Sequence, residues 1–293
     1  MSLIKSTLEN CKNNGRKAVI PYIVAGDPWY EITVPAMHSL VDAGADIIEL
    51  GVPFSDPMAE GPTIQIGHER SLANQTSLKD VLSMVSEFRK QNKTTPIVLM
   101  GYSNPIEVMG YQSFAEEAAK VGVNGVLTVD MPPEEAQEIN LIFREKNIDS
   151  IFLISPTTSD LRAKKICSIA SGYIYYVSLK GVTGAANIDT QNVQEKVNAI
   201  KKNTTIPVCV GFGIKDAKSA SEISKYSDGV VVGSVLVDSM GDCVGMNSRN
   251  TKKIKNIFED DRELYKNKIN KRLTEIIESI DKGINPCDPL IAK

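Results

Sequence analysis

The sequence predicts a closed (β/α)8, or TIM, barrel with an N-terminal helix and a long C-terminal tail, on three observations. Short apolar runs rich in β-branched residues recur eight times along the 293 residues. Stretches of helical period separate them, and glycines gather after the last two runs rather than after the first. A run apolar on both alternating faces is what a parallel strand covered on both sides requires, and eight βα units of this size fill one barrel.

The runs are 18–24, 46–50, 96–100, 125–129, 150–154, 173–177, 207–210 and 229–232. Amphipathic periodicity predicts helices over 32–42, 78–90, 113–120, 134–145, 160–170, 190–202 and 217–225. Helix starts are marked in the chain: Ser77 and Ser159 stand at N-cap positions, and Pro132-Pro133 opens the stretch EEAQEINLIF. An open doubly wound sheet is the rival fold, but it places a glycine-rich turn after its first strand, where this chain has AGDP. The glycines lie instead at GFGI (211–214) and at Gly233-Ser234. In a barrel these two loops commonly hold a phosphate, on backbone N–H groups and the N-terminus of a short extra helix.

Residues 3–13 read as a helix closing the bottom of the barrel. Beyond Val237, the stretch 238–256 carries Gly, Ser and Asn without periodicity and reads as a loop insertion, and 257–284 reads as a final helix whose mixed charges form a solvated face. The expectation is one domain over residues 1–293.

With a net charge of -3, the chain has no basic excess to hold nucleic acid or an anionic membrane, and no apolar run reaches spanning length, so a small-molecule function is expected. The N-terminus lacks the features of a targeting segment. Five scattered cysteines without a CxxC pair fit reduced thiols and a cytoplasmic location.

Catalytic groups in barrels project from the carboxyl ends of strands. Glu49 falls near the end of the second run, and alternation sets it opposite Ile48 and Leu50. If those two pack on the helices, Glu49 points into the mouth; the other register buries a charge in the helix layer at a cost of several kcal/mol. A carboxyl in an apolar mouth has a raised pKa, which suits an acid and base working near neutrality. A structural acid capping a loop or pairing with a lysine is the alternative.

His38 and His68 lie within helical stretches rather than at strand ends, and no metal-spaced cluster, GxSxG elbow or Cys-His pair is present in the sequence. Lys180, after the sixth run, could form a Schiff base, though an exposed cation in a glycine-flanked loop is the plainer reading. Tyr22, Tyr102, Tyr173, Tyr175 and Phe212 fall near the mouth, where converging aromatics suit a flat ligand. A phosphate clamp beside an aromatic slot points to a phosphorylated substrate with a ring.

The stretch IELGVPFSDPMAEGP resembles the signature of the tryptophan synthase alpha chain family. The resemblance continues through IPYIVAGDP, LMGYSNPI, VDMPPEE, GVTGA, VGFGI and GSVLV, in that order. It implies a lyase that cleaves indole-3-glycerol phosphate to indole and D-glyceraldehyde 3-phosphate by a retro-aldol reaction. It also implies no cofactor in this chain and a beta chain that carries pyridoxal phosphate and receives the indole, in an alpha2-beta2 heterotetramer.

Carried over by motif, Glu49 is the general acid and base. Glu60 is the carboxylate facing the indole N–H, where the family commonly has aspartate; the longer side chain leaves open a catalytically impaired chain kept as an allosteric partner, and a stand-alone lyase is a third possibility. The resemblance places the phosphate on Gly184, Gly213, Gly233 and Ser234, the indole pocket at Tyr22, Tyr102, Tyr175 and Phe212, and Thr183 on a loop that closes over substrate. Tyr22 stands where phenylalanine is commoner. The partner surface it implies comprises Pro53, Asp56, Pro57, Asn104 and Pro132, on exposed proline-rich loops.

Overall fold

In the computed structural model, which describes residues 2–177, 190–211, 213–246 and 259–286, eight parallel strands close on themselves in chain order. They are β1 (Ala18–Val24), β2 (Ile48–Gly51), β3 (Ile97–Gly101), β4 (Gly125–Thr128), β5 (Asp149–Ile154), β6 (Ile174–Val177), β7 (Val208–Gly211) and β8 (Gly229–Val232). Every strand predicted from its apolar run is present, with ends shifted by at most two residues. Such shifts arise because backbone pairing, not side-chain hydropathy, decides where a strand stops.

The helices are α1 (Leu3–Asn13), α2 (Thr33–Asp42), α3 (Pro62–Ala73), α4 (Leu78–Arg89), α5 (Ser103–Met109), α6 (Tyr111–Val121), α7 (Ala136–Glu145), α8 (Asp160–Ile169), α9 (Thr190–Lys201), α10 (Ala217–Ser224), α11 (Ser234–Cys243) and α12 (Glu259–Ile284). Ser77 caps α4 in a capping box with Asp80, and Ser159 accepts the N–H of Arg162 at the start of α8. Each such cap satisfies donors that the first helical turn leaves without partners.

Two apolar layers follow from the alternation of strand side chains. One faces the helices and holds Ile48, Leu50, Ile97, Leu99, Ile174 and Val208. The other fills the barrel with Ile20, Tyr22, Ile47, Val98, Leu127, Tyr173 and Cys209. Ile4, Leu8 and Cys11 of α1 join the inner layer and plug the bottom of the barrel. Burying a residue such as Leu8 stabilises the fold by roughly 1.5–3 kcal/mol. At the same level Gly125 has no room for a side chain: a Cβ there would lie 2.8 Å from Cδ1 of Ile4 and 2.6 Å from Cδ1 of Ile151.

The region after β8 corrects the reading of 238–256 as a loop from its first residue. Helix α11 runs to Cys243, because Leu236, Val237, Met240 and Cys243 form a buried stripe at helical spacing. Its glycine, serine and aspartate residues masked that stripe. The long helix α12 then packs against α2, α10 and α11, burying Ile269, Leu273, Ile276, Ile277 and Ile280. Arg16 bridges Asp46 and Asp281, and Asn285 bonds the backbone of Lys17 in both directions, so the end of α12 is fixed to the start of β1.

Candidate active site

Glu49 sits inside the barrel. Its Cα partners are Tyr22 of β1 and Val98 of β3, both inner-layer residues, while its neighbours Ile48 and Leu50 pack outward on the helices. The carboxyl is fully buried. Oε1 accepts a hydrogen bond from the Tyr173 hydroxyl, and Oε2 has no partner among the described residues. Burial raises the Glu49 pKa to about 8 against the smaller opposing pull of the Tyr173 bond. At neutral pH this carboxyl holds its proton and is close enough to its pKa to give it up.

Tyr173 immediately precedes β6, and its role as the partner of Glu49 was missed in the sequence. The signal was there: Tyr173 shares parity with Tyr175, so both must face inward if either does. Tyr175 lies on β6 with its hydroxyl against Gly211 of the adjacent β7, where any Cβ would overlap it. Burial, followed by the nearby Glu49 charge, pushes the Tyr175 hydroxyl well above its ordinary pKa. It is therefore a neutral hydroxyl near the Glu49 carboxyl.

Glu60 lies on the loop between β2 and α3. The Tyr102 hydroxyl donates to its Oε2 and accepts the N–H of Ala59 at 3.0 Å. The Phe54 ring stacks on Tyr102 with centroids 4.9 Å apart. Gln65 in α3 donates to the Glu60 carbonyl at 2.9 Å. Burial raises the Glu60 pKa, and the Tyr102 bond works against that shift. The extra methylene of glutamate is thus accommodated by a hydroxyl that fixes the carboxyl end.

Tyr22 is buried beneath the mouth. Its ring passes Gly233, whose added Cβ would lie 3.4 Å from Cδ1, and its hydroxyl reaches over Gly51, where any Cβ would overlap it. The hydroxyl lies 3.3 Å from Nε2 of His68. His68, set aside in the sequence for lying within a helix, is in α3 as read, yet the helix carries it to the mouth.

The adjoining rim, beyond β1 on its β8 side, is built around the start of α11. Gly233 is its N-cap, no side chain caps it, and Ser234 is its first residue. Gly213, after β7, has φ of +68°, a conformation that glycine adopts without strain. An uncapped helix start presents N–H donors with the positive end of the helix dipole, a ready anion site. Arg70 of α3 holds this rim. It forms a buried two-pronged ion pair with Asp27, at 2.5 and 2.8 Å, and donates to the carbonyls of Val237 and Met246 at 3.0 Å each. Neither partner was singled out in the sequence, since a lone Asp and Arg 43 positions apart carry no local signal.

Thr183, Gly184, Phe212 and Lys180 lie outside the described residues. Of the partner-surface set, Asp56 and Asn104 are exposed and Pro132 is partly so. Pro53 and Pro57 are buried within the chain, which corrects the reading of this loop as exposed throughout: Pro57 packs inward between the exposed Asp56 and Met58, and Pro53 follows the buried Val52. Met58 and Val108, both more than three-quarters exposed, are apolar residues on the same β2–α3 loop and on α5. Among the described residues no cluster of His, Cys, Asp and Glu could hold a metal ion, and no helix is long and apolar enough to cross a membrane.

The family model for the tryptophan synthase alpha chain matches residues 8–269. The alpha chain of Marinobacter nauticus is 58% identical over 240 residues, covering 82% of this chain and 89% of that protein. That of Nitrosococcus oceani is 57% identical over 237 residues, covering 81% and 88%. Among solved structures, tryptophan synthase subunit alpha from Legionella pneumophila superposes with a TM-score of 0.84 at 39% identity, over 98% of this chain and 100% of that one. A carboxyl on β2, a second on the following loop and an open helix start after β8 occupy one barrel mouth within that match, and the chain belongs to the tryptophan synthase alpha chain family.

Proposed function

We infer that this chain is the lyase subunit that cleaves indole-3-glycerol phosphate to indole and D-glyceraldehyde 3-phosphate in tryptophan biosynthesis, and that it passes the indole to a beta chain. The observation that carries the chemistry is the fully buried Glu49 with its pKa near 8 and one oxygen without a partner among the described residues.

In this reading the protonated Glu49 gives its proton to C3 of the indole ring, and positive charge develops at the ring nitrogen. The Glu60 carboxylate lies against that nitrogen and lowers the cost of the charge, as fixed opposite charge does in a site closed to water. Glu49, now ionised, takes the proton of the glycerol hydroxyl next to the ring. The oxygen's electrons form the aldehyde C=O, the carbon–carbon bond breaks, and its electrons return to the ring to give indole. Glu49 ends protonated, as it began. One residue thus serves as acid and then base, which a carboxyl with a pKa near the working pH can do.

The phosphate is assigned to the backbone of Gly184, Gly213, Gly233 and Ser234, with the serine hydroxyl added. The open N-terminus of α11 supports this, and neutral donors suit a chain without excess positive charge. Tyr22, Tyr102, Tyr175 and Phe212 are assigned to the indole slot and Thr183 to the loop that closes over it. The reaction needs only proton transfer and charge stabilisation from this chain, so we assign it no cofactor and leave pyridoxal phosphate to the beta chain.

The family works with a beta chain, and we propose an alpha2-beta2 assembly that docks through the face bearing Asp56, Asn104 and Pro132, with Met58 and Val108 supplying apolar contact. The four cysteines among the described residues are unpaired and buried, which supports a cytoplasmic location.

The test is an indole-release assay on purified protein with indole-3-glycerol phosphate, with and without beta chain. Indole should appear in both and faster with the beta chain. Its absence from both would overturn the lyase reading, and equal rates would overturn the coupling.

A further inference from the structure

His68 touches two groups that the site depends on. Its Nδ1 accepts the backbone N–H of Phe54 at 3.0 Å, its Nε2 faces the Tyr22 hydroxyl at 3.3 Å, and the ring itself is almost wholly buried. A backbone N–H only donates, so Nδ1 must be the bare nitrogen. In a neutral imidazole the proton then sits on Nε2 and is donated to the Tyr22 oxygen. Burial lowers the His68 pKa to about 4, so the ring is neutral near pH 7.

Two consequences follow for groups that His68 does not itself reach. Phe54, held by its amide, stacks its ring on Tyr102, and Tyr102 donates to Glu60. The histidine therefore fixes the first residue of a contact chain that ends on the second carboxyl. On its other side, the Tyr22 hydroxyl accepts from His68 and makes no other hydrogen bond among the described residues. Its own proton is left to be donated. Tyr22 stands directly opposite Glu49 in the β1–β2 pairing.

We propose that His68 is a positioning residue of the site, which in its Nε2–H form ties the Glu60 loop to the strand facing Glu49 and orients the Tyr22 hydroxyl as a hydrogen-bond donor toward substrate. The inference rests on the lyase reading for its kinetic consequence and on geometry alone for the tautomer. Tyrosine rather than phenylalanine at position 22 then has a purpose in this chain, because a phenyl ring would leave the Nε2 proton buried without an acceptor. A merely well-packed core histidine predicts neither a fixed tautomer nor coupling to Tyr22.

The test has two arms on the full-length chain. With 15N-labelled histidine, the protonated and bare ring nitrogens resonate in separate ranges, and with only two histidines in the chain the assignment is direct. His68 should show a bare Nδ1 and a protonated Nε2 at pH 7, and in Tyr22→Phe the Nε2 proton should exchange faster with solvent. An Nδ1–H tautomer, or an exchange rate indifferent to Tyr22→Phe, would overturn the pair.

In the kinetic arm, Tyr22→Phe should lower kcat/KM for indole-3-glycerol phosphate about tenfold, the scale of one hydrogen bond made in a closed site. His68→Leu should lower it at least as much, and the double variant should lose no more than His68→Leu alone. Losses that multiply would mean two independent residues and would overturn the proposal. If the wild type releases no indole at all, it is the lyase reading that fails, and the tautomer arm still decides the pair.

Discussion

The Tyr173 hydroxyl donates to Oε1 of Glu49, 124 residues away in sequence, inside the barrel and out of contact with water. This bond favours the ionised carboxyl, while burial, the larger influence, favours the protonated one. If Glu49 must begin the reaction protonated, kcat/KM should hold through neutral pH and fall as pH rises through about 8. Tyr173→Phe removes the opposing pull, so the alkaline limb should move to higher pH. A pH–rate profile of the two proteins checks this, and an unmoved limb would show that Tyr173 does not act on the titrating group.

The same carboxyl links stability to pH. Its folded pKa, about 8, exceeds the ordinary value of 4.5, so between those two values the folded state binds a proton that the unfolded state has released. The contribution of Glu49 is most favourable below about 4.5, declines as pH rises through the window, and levels off above about 8. Glu49→Gln cannot titrate and escapes the decline. Urea unfolding at pH 5 and pH 9 should show the variant gaining relative to wild type at the higher pH, on the order of a few kcal/mol. A constant difference between the two proteins would contradict the raised pKa.

Glu60 offers a test of geometry rather than of charge. Aspartate would keep the charge but withdraw the carboxyl from the Tyr102 hydroxyl, which also accepts from Ala59. Glu60→Asp should therefore lower kcat about tenfold or more, since small displacements of a catalytic group cost large factors in rate. Tyr102→Phe should produce a smaller loss in the same direction. If Glu60→Asp instead gains activity, the chain is better read as an impaired lyase whose main task is to activate the beta chain. Steady-state kinetics with and without beta chain distinguishes the two outcomes.

These residues also show what a sequence makes legible. Glu49 could be placed in the mouth because strand parity is local: Ile48 and Leu50 had to face the helices, and Glu49 had to face away. Tyr102 and Glu60 stood in recognisable motifs, but their contact depends on how a loop folds back over β3. His68 was set aside because it lies within a helical stretch rather than at a strand end. The helix is as read, and what the sequence did not show is its course: α3 runs beside the mouth, and its residue 68 comes round to Tyr22. Helix α11 was hidden by its small and polar residues, and only packing against β1, α3 and α12 reveals its apolar stripe.

The buried Asp27–Arg70 pair is the least legible feature and the most exposed to a stability test. Its two charges lie at 2% accessibility or less, with two further guanidinium donors on the carbonyls of Val237 and Met246. Removing one partner strands the other charge, at a cost of about 3–5 kcal/mol. Asp27→Asn should cost less than Arg70→Leu, because an amide can still accept one guanidinium proton, whereas leucine leaves both a carboxylate and two carbonyls without donors. The double variant Asp27→Leu, Arg70→Leu should recover part of the loss, since no charge is then stranded. The loss should also reach the substrate: Arg70 anchors α11, whose first turn is assigned to the phosphate, so a folded Asp27→Asn protein should bind indole-3-glycerol phosphate more weakly. Urea midpoints and substrate KM measured on the same variants check both halves. Additive stability losses in the double variant, or an unchanged KM in a destabilised Asp27→Asn, would show that the pair holds neither itself nor the phosphate rim together.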